Sequence, residues 1–295
     1  MGQIISLMAL PAVQNSAIAL VIAAAGLPVV GVFIVGLDII PVRFAIMHVA
    51  LFGIAIGLVN GLNPTLCGLV ACGLSGAGVA PLSRRPTGLS GAMGLLMTFA
   101  IAGALLMLSV AGVNATGVFQ VLWGSILATE TSDVVVIAVV TVAVLGLFLR
   151  FRRQLALLLF DREIAVCSGV PAGPLMLALL VVVAVAIGAA IRLTGALLVD
   201  AVTILPALAA RNVGRSLSSM VGWAIGFGVV GNAAGFLVAL ASNEPPGPIL
   251  VFVAGGLTLI TYLVPGTVLD TVAPGRRQPR SADRARPVNE GLRLH

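Results

Sequence analysis

Asp200 lies inside the stretch ALLVDAVTILPALAAR (196–211), which is otherwise almost wholly apolar. With Arg192 taken as the outer boundary, the helical rise sets Asp200 about 12 Å deep, near the middle of a hydrocarbon layer about 30 Å thick. A carboxylate at that depth costs about 2.5–3.5 kcal/mol to insert, so it must face a polar path or a partner. Pro206 cannot donate a hydrogen bond to the Val202 carbonyl; it frees that oxygen and marks a helix kink. A carboxylate near a freed carbonyl suits a cation. The other reading is a neutral, hydrogen-bonded Asp200 that locks two helices together. His48 is the only histidine within an apolar run; the other, His295, ends the chain. Imidazole ligates zinc and other divalent transition metals, though an intramembrane histidine can equally hold two helices together by a hydrogen bond. Asp38 and Arg43 flank the first inner turn.

A second group lies in FDREIAVCSGVP (160–171). Asp161 and Glu163 suit the positive end of a short helix, and Gly169 and Pro171 stop it. Such a helix between two spans serves as a docking element for a soluble partner, or as an ordinary loop helix. The three cysteines, Cys67, Cys72 and Cys167, have neither zinc-site nor disulfide spacing and read as small packing residues. All basic residues are arginine, and no G-x-x-x-x-G-K-[ST] occurs. ATP hydrolysis by a P-loop is therefore excluded, and no Ser/His/Asp set suggests another enzyme.

The elements that must position these residues follow from composition. The 295 residues are 60% hydrophobic and 9% charged, with a mean hydropathy of +1.18. A soluble domain carries about 25% charged residues. Apolar runs of about 20 residues recur along the chain and require helices. The expected fold is an all-α polytopic membrane protein with about nine (eight to nine) spans. They fall near 11–36, 42–60, 63–82, 88–112, 132–149, 173–190, 193–210, 217–241 and 248–269. Arg43, Arg84, Arg85, Arg150, Arg152, Arg153, Arg162, Arg211, Arg215 and the arginines from Arg276 onward fall on one side, which the positive-inside rule makes cytoplasmic. Arg192 falls on the other, and Trp123 in the loop before it is an interfacial anchor. The N-terminus is then outside, with no removable signal peptide. Residues 1–272 form the transmembrane domain, and 273–295 form a disordered, Arg-rich cytoplasmic tail. The net charge of +6 reflects topology and lipid headgroups, not nucleic-acid binding.

Four segments in order resemble the membrane permeases of the zinc/manganese/iron uptake family of ABC transporters, over roughly residues 10–265. They are GVFIVGLDIIPVRFAIMHVALFGIAIG, WGSILATETSD, FDREIAVCSGVP and RLTGALLVDAVTILPALAARNVGRSL. The resemblance implies a permease in the bacterial inner membrane, paired with a second copy as a homodimer. It implies a separate cytoplasmic ATPase, which the helix at about 160–171 (Asp161, Glu163, Gly169) would engage, and an extracytoplasmic metal-binding protein. No cofactor is held permanently; the divalent metal is the cargo, zinc first and manganese next. His48 carries over as a metal ligand by position. The family's Gly-Asp-x-x-x-His pattern is broken, because Phe44 stands one turn before His48. Asp200, on another helix, is the expected replacement carboxylate. The alternatives are an ABC permease for a metal chelate or cobalamin, and a proton-coupled secondary transporter with Asp200 as its relay.

Overall fold

In the computed structural model, the described residues are 11–82, 89–110, 112, 129–242, 244 and 246–263. Trp123, Arg84, Arg85 and the tail from 273 lie outside them. Ten helices are present among the described residues: α1 (Pro11–Gly36), α2 (Ile40–Val59), α3 (Pro64–Leu82), α4 (Leu89–Val110), α5 (Thr131–Phe160), α6 (Arg162–Cys167), α7 (Ala172–Thr194), α8 (Ala196–Val213), α9 (Leu217–Ser242) and α10 (Pro246–Leu263). Eight of them are long and apolar enough to cross a membrane, and no strand occurs among the described residues. The all-α polytopic fold is as the hydropathy required. The nine expected runs fall in order on α1–α5 and α7–α10; α8, which carries Asp200 and Arg211, is the one of them not among the eight.

Two boundaries differ from the sequence reading. The fifth span was expected to end at 149, yet α5 continues to Phe160 with a bend at Phe151 (φ −119°, ψ 16°). Arg150, Arg152 and Arg153 mark where the chain leaves the apolar layer, not where the helix ends. The second difference is between Arg192 and Asp200. The sequence reading put the break between the sixth and seventh spans at Arg192, but it lies at Gly195 (φ 76°, ψ 162°), which closes α7 through its N–H to the Ile191 carbonyl (2.8 Å). This backbone region is open essentially to glycine alone. Asp200 is thus five residues down a new helix, about 7.5 Å from its start.

The turn between α1 and α2 is equally sharp. Asp38 takes a left-handed conformation (φ 54°), tolerable for aspartate, and the Ile39 N–H reaches back to the Ile34 carbonyl (3.1 Å). Pro41 then sits in the first turn of α2, where its missing N–H costs nothing. Arg43 follows immediately.

Packing divides the body into two groups. α2 packs on α3 and α4; α1, α8, α9 and α10 pack on one another, with α5 on α1. α7 lies between the groups against α3 and α5, burying Leu179, Leu180, Val183, Ala184, Ile187 and Ala190. Small residues bring the backbones together there: Gly76 lies on Leu180 and Ala184, and Gly188 on Cys72. α2 and α8 share almost no direct packing.

Candidate functional site

Asp200 stands in the second turn of α8, and its partner is Arg43, which forms an ion pair through Nη1 to Asp200 Oδ1. The arginine side chain is 2% exposed, whereas 42% of the Asp200 side chain is accessible in the isolated chain. Oδ1 itself is buried, so the accessible part of the carboxylate is its other edge. Arg43 was expected to flank the inner turn as a marker of the cytoplasmic side. The structure corrects this: its guanidinium is inside the protein, stacked over the Phe44 ring at 4.2 Å and tied to another helix. The physical reason is helical phase: in the first turn of α2, Val42 and Arg43 fall on the inward face, while Asp38, Pro41 and Phe44 are exposed. A signal was present in the sequence. Arg43 falls inside the expected span 42–60, and an opposite charge inside another span is its natural partner.

His48 is half-buried on α2, one turn beyond Phe44. Its Nδ1 lies 2.7 Å from the Phe44 carbonyl. A carbonyl only accepts, so Nδ1 is the donor in this contact, and in the neutral imidazole that leaves Nε2 as the nitrogen open to a metal. No hydrogen bond or ion pair joins His48 to Asp200. Among the described residues, no three His, Cys, Asp or Glu side chains gather in the manner of a closed metal site.

α8 runs unbroken through Pro206. Polar contacts fasten it to α10 on either side of the proline. Thr258 Oγ1 donates to the Leu205 carbonyl (3.0 Å), and Asn212 Nδ2 donates to Thr261 Oγ1 (3.2 Å). The helix carrying Asp200 is therefore anchored toward its C-terminal end and reaches the α2 group at its N-terminal end by the ion pair. Near that end, α5 and α7 are joined by Arg192 Nε donating to Asp133 Oδ1 (3.3 Å).

The short helix expected at 160–171 is present as α6. Asp161 caps it, with Oδ1 accepting from the N–H groups of Glu163 (2.7 Å) and Ile164 (3.1 Å). Gly169 closes it at φ 77°, while the Val170 N–H bonds to the Ala165 carbonyl (3.0 Å). Ala165 is fully buried and anchors α6 against the body, leaving Phe160, Ile164 and Val166 exposed beside the charged Glu163. An exposed apolar edge with a polar rim is the surface a soluble partner would grip.

The profile of the ABC 3 transport family matches residues 9–265. A zinc transport system membrane protein, TroC of Treponema pallidum, is 29% identical over 233 residues, covering 75% of this chain and 78% of its own. A manganese transport system membrane protein, MntC of Halalkalibacterium halodurans, is 26% identical over 237 residues, covering 79% and 80%. Among solved structures, PsaBC from Streptococcus pneumoniae in complex with Fab superposes with a TM-score of 0.78 at 26% identity, over 92% of this chain and 98% of that one.

Proposed function

The chain belongs to the ABC 3 transport family, and on that premise we propose that it is the permease subunit of a bacterial importer for a divalent transition metal, zinc before manganese. The observation that carries the reading is the extent of the likeness. It spans nearly the whole membrane body and includes relatives named for zinc and for manganese transport. The permease lies in the cytoplasmic membrane as a multi-pass protein with its C-terminal tail inside. It works with a separate ATPase at α6, an extracytoplasmic metal-binding protein and a second permease copy.

A bare divalent ion cannot enter hydrocarbon without replacement ligands, and those ligands must hold it weakly enough to release it. His48 Nε2 on α2 and the open edge of Asp200 on α8 are the two donors proposed for this path. They sit on helices that barely pack on each other, so relative motion can bring them together and part them. Imidazole with a single carboxylate favours zinc over the harder manganese ion. Docking of the ATPase falls to α6, where Glu163 and the exposed apolar edge meet the partner while Asp161 and Gly169 hold the helix in shape.

The test is radiozinc uptake in cells lacking other importers, with the neighbouring ATPase and binding protein co-expressed. His48→Ala is expected to abolish uptake while the protein still inserts. Undiminished uptake would favour cargo that needs no intramembrane ligand, such as a chelate or cobalamin. Uptake that persists with a hydrolysis-dead ATPase would indicate a proton-coupled carrier.

A further inference from the structure

We infer that Arg43 is a positioning residue for transport. Its guanidinium clasps Asp200, tying the two helix groups together, and a divalent cation must displace it to use that carboxylate. The inference rests on the reading of Asp200 as a metal ligand given above and adds a competitor for it.

Three observations carry it. The first is where the pair sits. α2 belongs with α3 and α4, and α8 with α1, α9 and α10, and the two helices otherwise hardly touch. One ion pair thus adds a direct tie between two groups otherwise joined by α7 and by the tight α1–α2 turn at Asp38.

The second is how incompletely the guanidinium is held. A permanently buried arginine presents five N–H donors and is costly unless they are satisfied. Nε and Nη1 of Arg43 and Oδ1 of Asp200 are all buried without a hydrogen-bond partner among the described residues, so the pair is held by charge and not by a hydrogen bond. The side chain is held by one edge of a carboxylate and by the face of Phe44. A lock built only for stability would use more of the fork.

The third is the asymmetry of Asp200. Oδ1 is turned inward to Arg43, and the remainder of the carboxylate is accessible. A cation can approach the open edge while the clasp is still closed. Its two positive charges then outcompete the single charge of Arg43 for the shared carboxylate. The guanidinium must withdraw, because like charges in a low-dielectric site repel strongly.

The experiment measures zinc binding to the purified permease–ATPase complex in detergent, without nucleotide or binding protein, by titration calorimetry. The variants are Arg43→Gln, Arg43→Lys and Asp200→Asn, each checked for assembly by gel filtration. Asp200→Asn is expected to bind zinc at least tenfold more weakly. Arg43→Gln is expected to bind it about tenfold more tightly, since no guanidinium competes. Arg43→Lys, whose ammonium keeps the charge without the planar fork, is expected to bind about threefold more tightly. The Lys variant carries the test if the Gln variant does not assemble. Zinc affinity unchanged in Asp200→Asn would sink the ligand role of Asp200, and the clasp with it. Weakened binding in Asp200→Asn together with unchanged or weaker binding in the Arg43 variants would overturn the clasp alone. A merely structural pair would lower the yield of assembled complex and leave the Arg43 affinities at the native value.

Discussion

Replacing Gly169 with valine isolates what α6 does. Gly169 sits at φ 77°, and a Cβ built there would meet nothing within 4 Å. The damage is therefore backbone strain alone, about 1–2 kcal/mol for an L-residue in the left-handed region. A six-residue helix has little to set against that. Its N-terminal cap at Asp161 contributes about 1 kcal/mol, and the turn at Gly169 supplies the two hydrogen bonds that close its other end, to Val166 and Ala165. A loss of 1–2 kcal/mol shifts the folded-to-frayed ratio of α6 by roughly 5- to 30-fold. The spans are untouched, so Gly169→Val should insert and assemble normally. In proteoliposomes its ATPase stimulation by metal-loaded binding protein should fall by about the same factor. Gly169→Asn, which accepts the left-handed region, should retain most of the stimulation. Full stimulation in Gly169→Val would show that the shape of α6 does not matter for coupling. Equal loss in both variants would mean that the side chain, not the turn, is at fault.

Other outcomes follow from single contacts. Gly195→Ala forces a side chain into a backbone region reserved for glycine (φ 76°, ψ 162°), costing about 1–3 kcal/mol, and should reduce the assembled fraction seen by gel filtration. Asp133→Ala removes both the half-exposed pair with Arg192 and the acceptor for the Glu130 N–H (3.2 Å). The combined cost of about 1–2 kcal/mol should lower the Tm by several degrees in detergent, whereas Arg192→Ala should lower it less. A reporter fused after Arg153 should report the cytoplasm, and one inserted at Gly61, between α2 and α3, the outside. The reverse pattern would place α6 on the wrong side for an ATPase.

The spans could be read from hydropathy because lipid offers the backbone no hydrogen bonds, so each crossing must declare itself as a long apolar run. α6 was legible for a different reason, since Asp161 and Gly169 are its start and stop signals and both act locally. The sequence reading failed where one symbol carries two meanings. Arg150 reads as the end of a span, yet α5 continues past it, across the bend at Phe151. Arg43 has the same arginine code near a span end, yet its role depends on Asp200, far along the chain and on another helix. Pairing of that kind is a property of the packing. The break between α7 and α8 was set three residues early, at Arg192, because it rests on one residue, Gly195, in a sequence with 35 glycines. The choice between zinc and manganese has no local code either, since two donors on separate helices define no fixed coordination geometry.

Asp200 is where the account is most exposed. Truncating it to alanine also strands buried Arg43, at about 3–5 kcal/mol, so uptake must be normalised to assembled protein. The direct measurement compares radiozinc and radiomanganese uptake by the native protein and by Asp200→Asn, per assembled complex, in cells lacking other importers. The account predicts ATPase-dependent zinc uptake by the native protein, exceeding manganese uptake, and its loss in Asp200→Asn. Zinc uptake at the native rate in Asp200→Asn would contradict it.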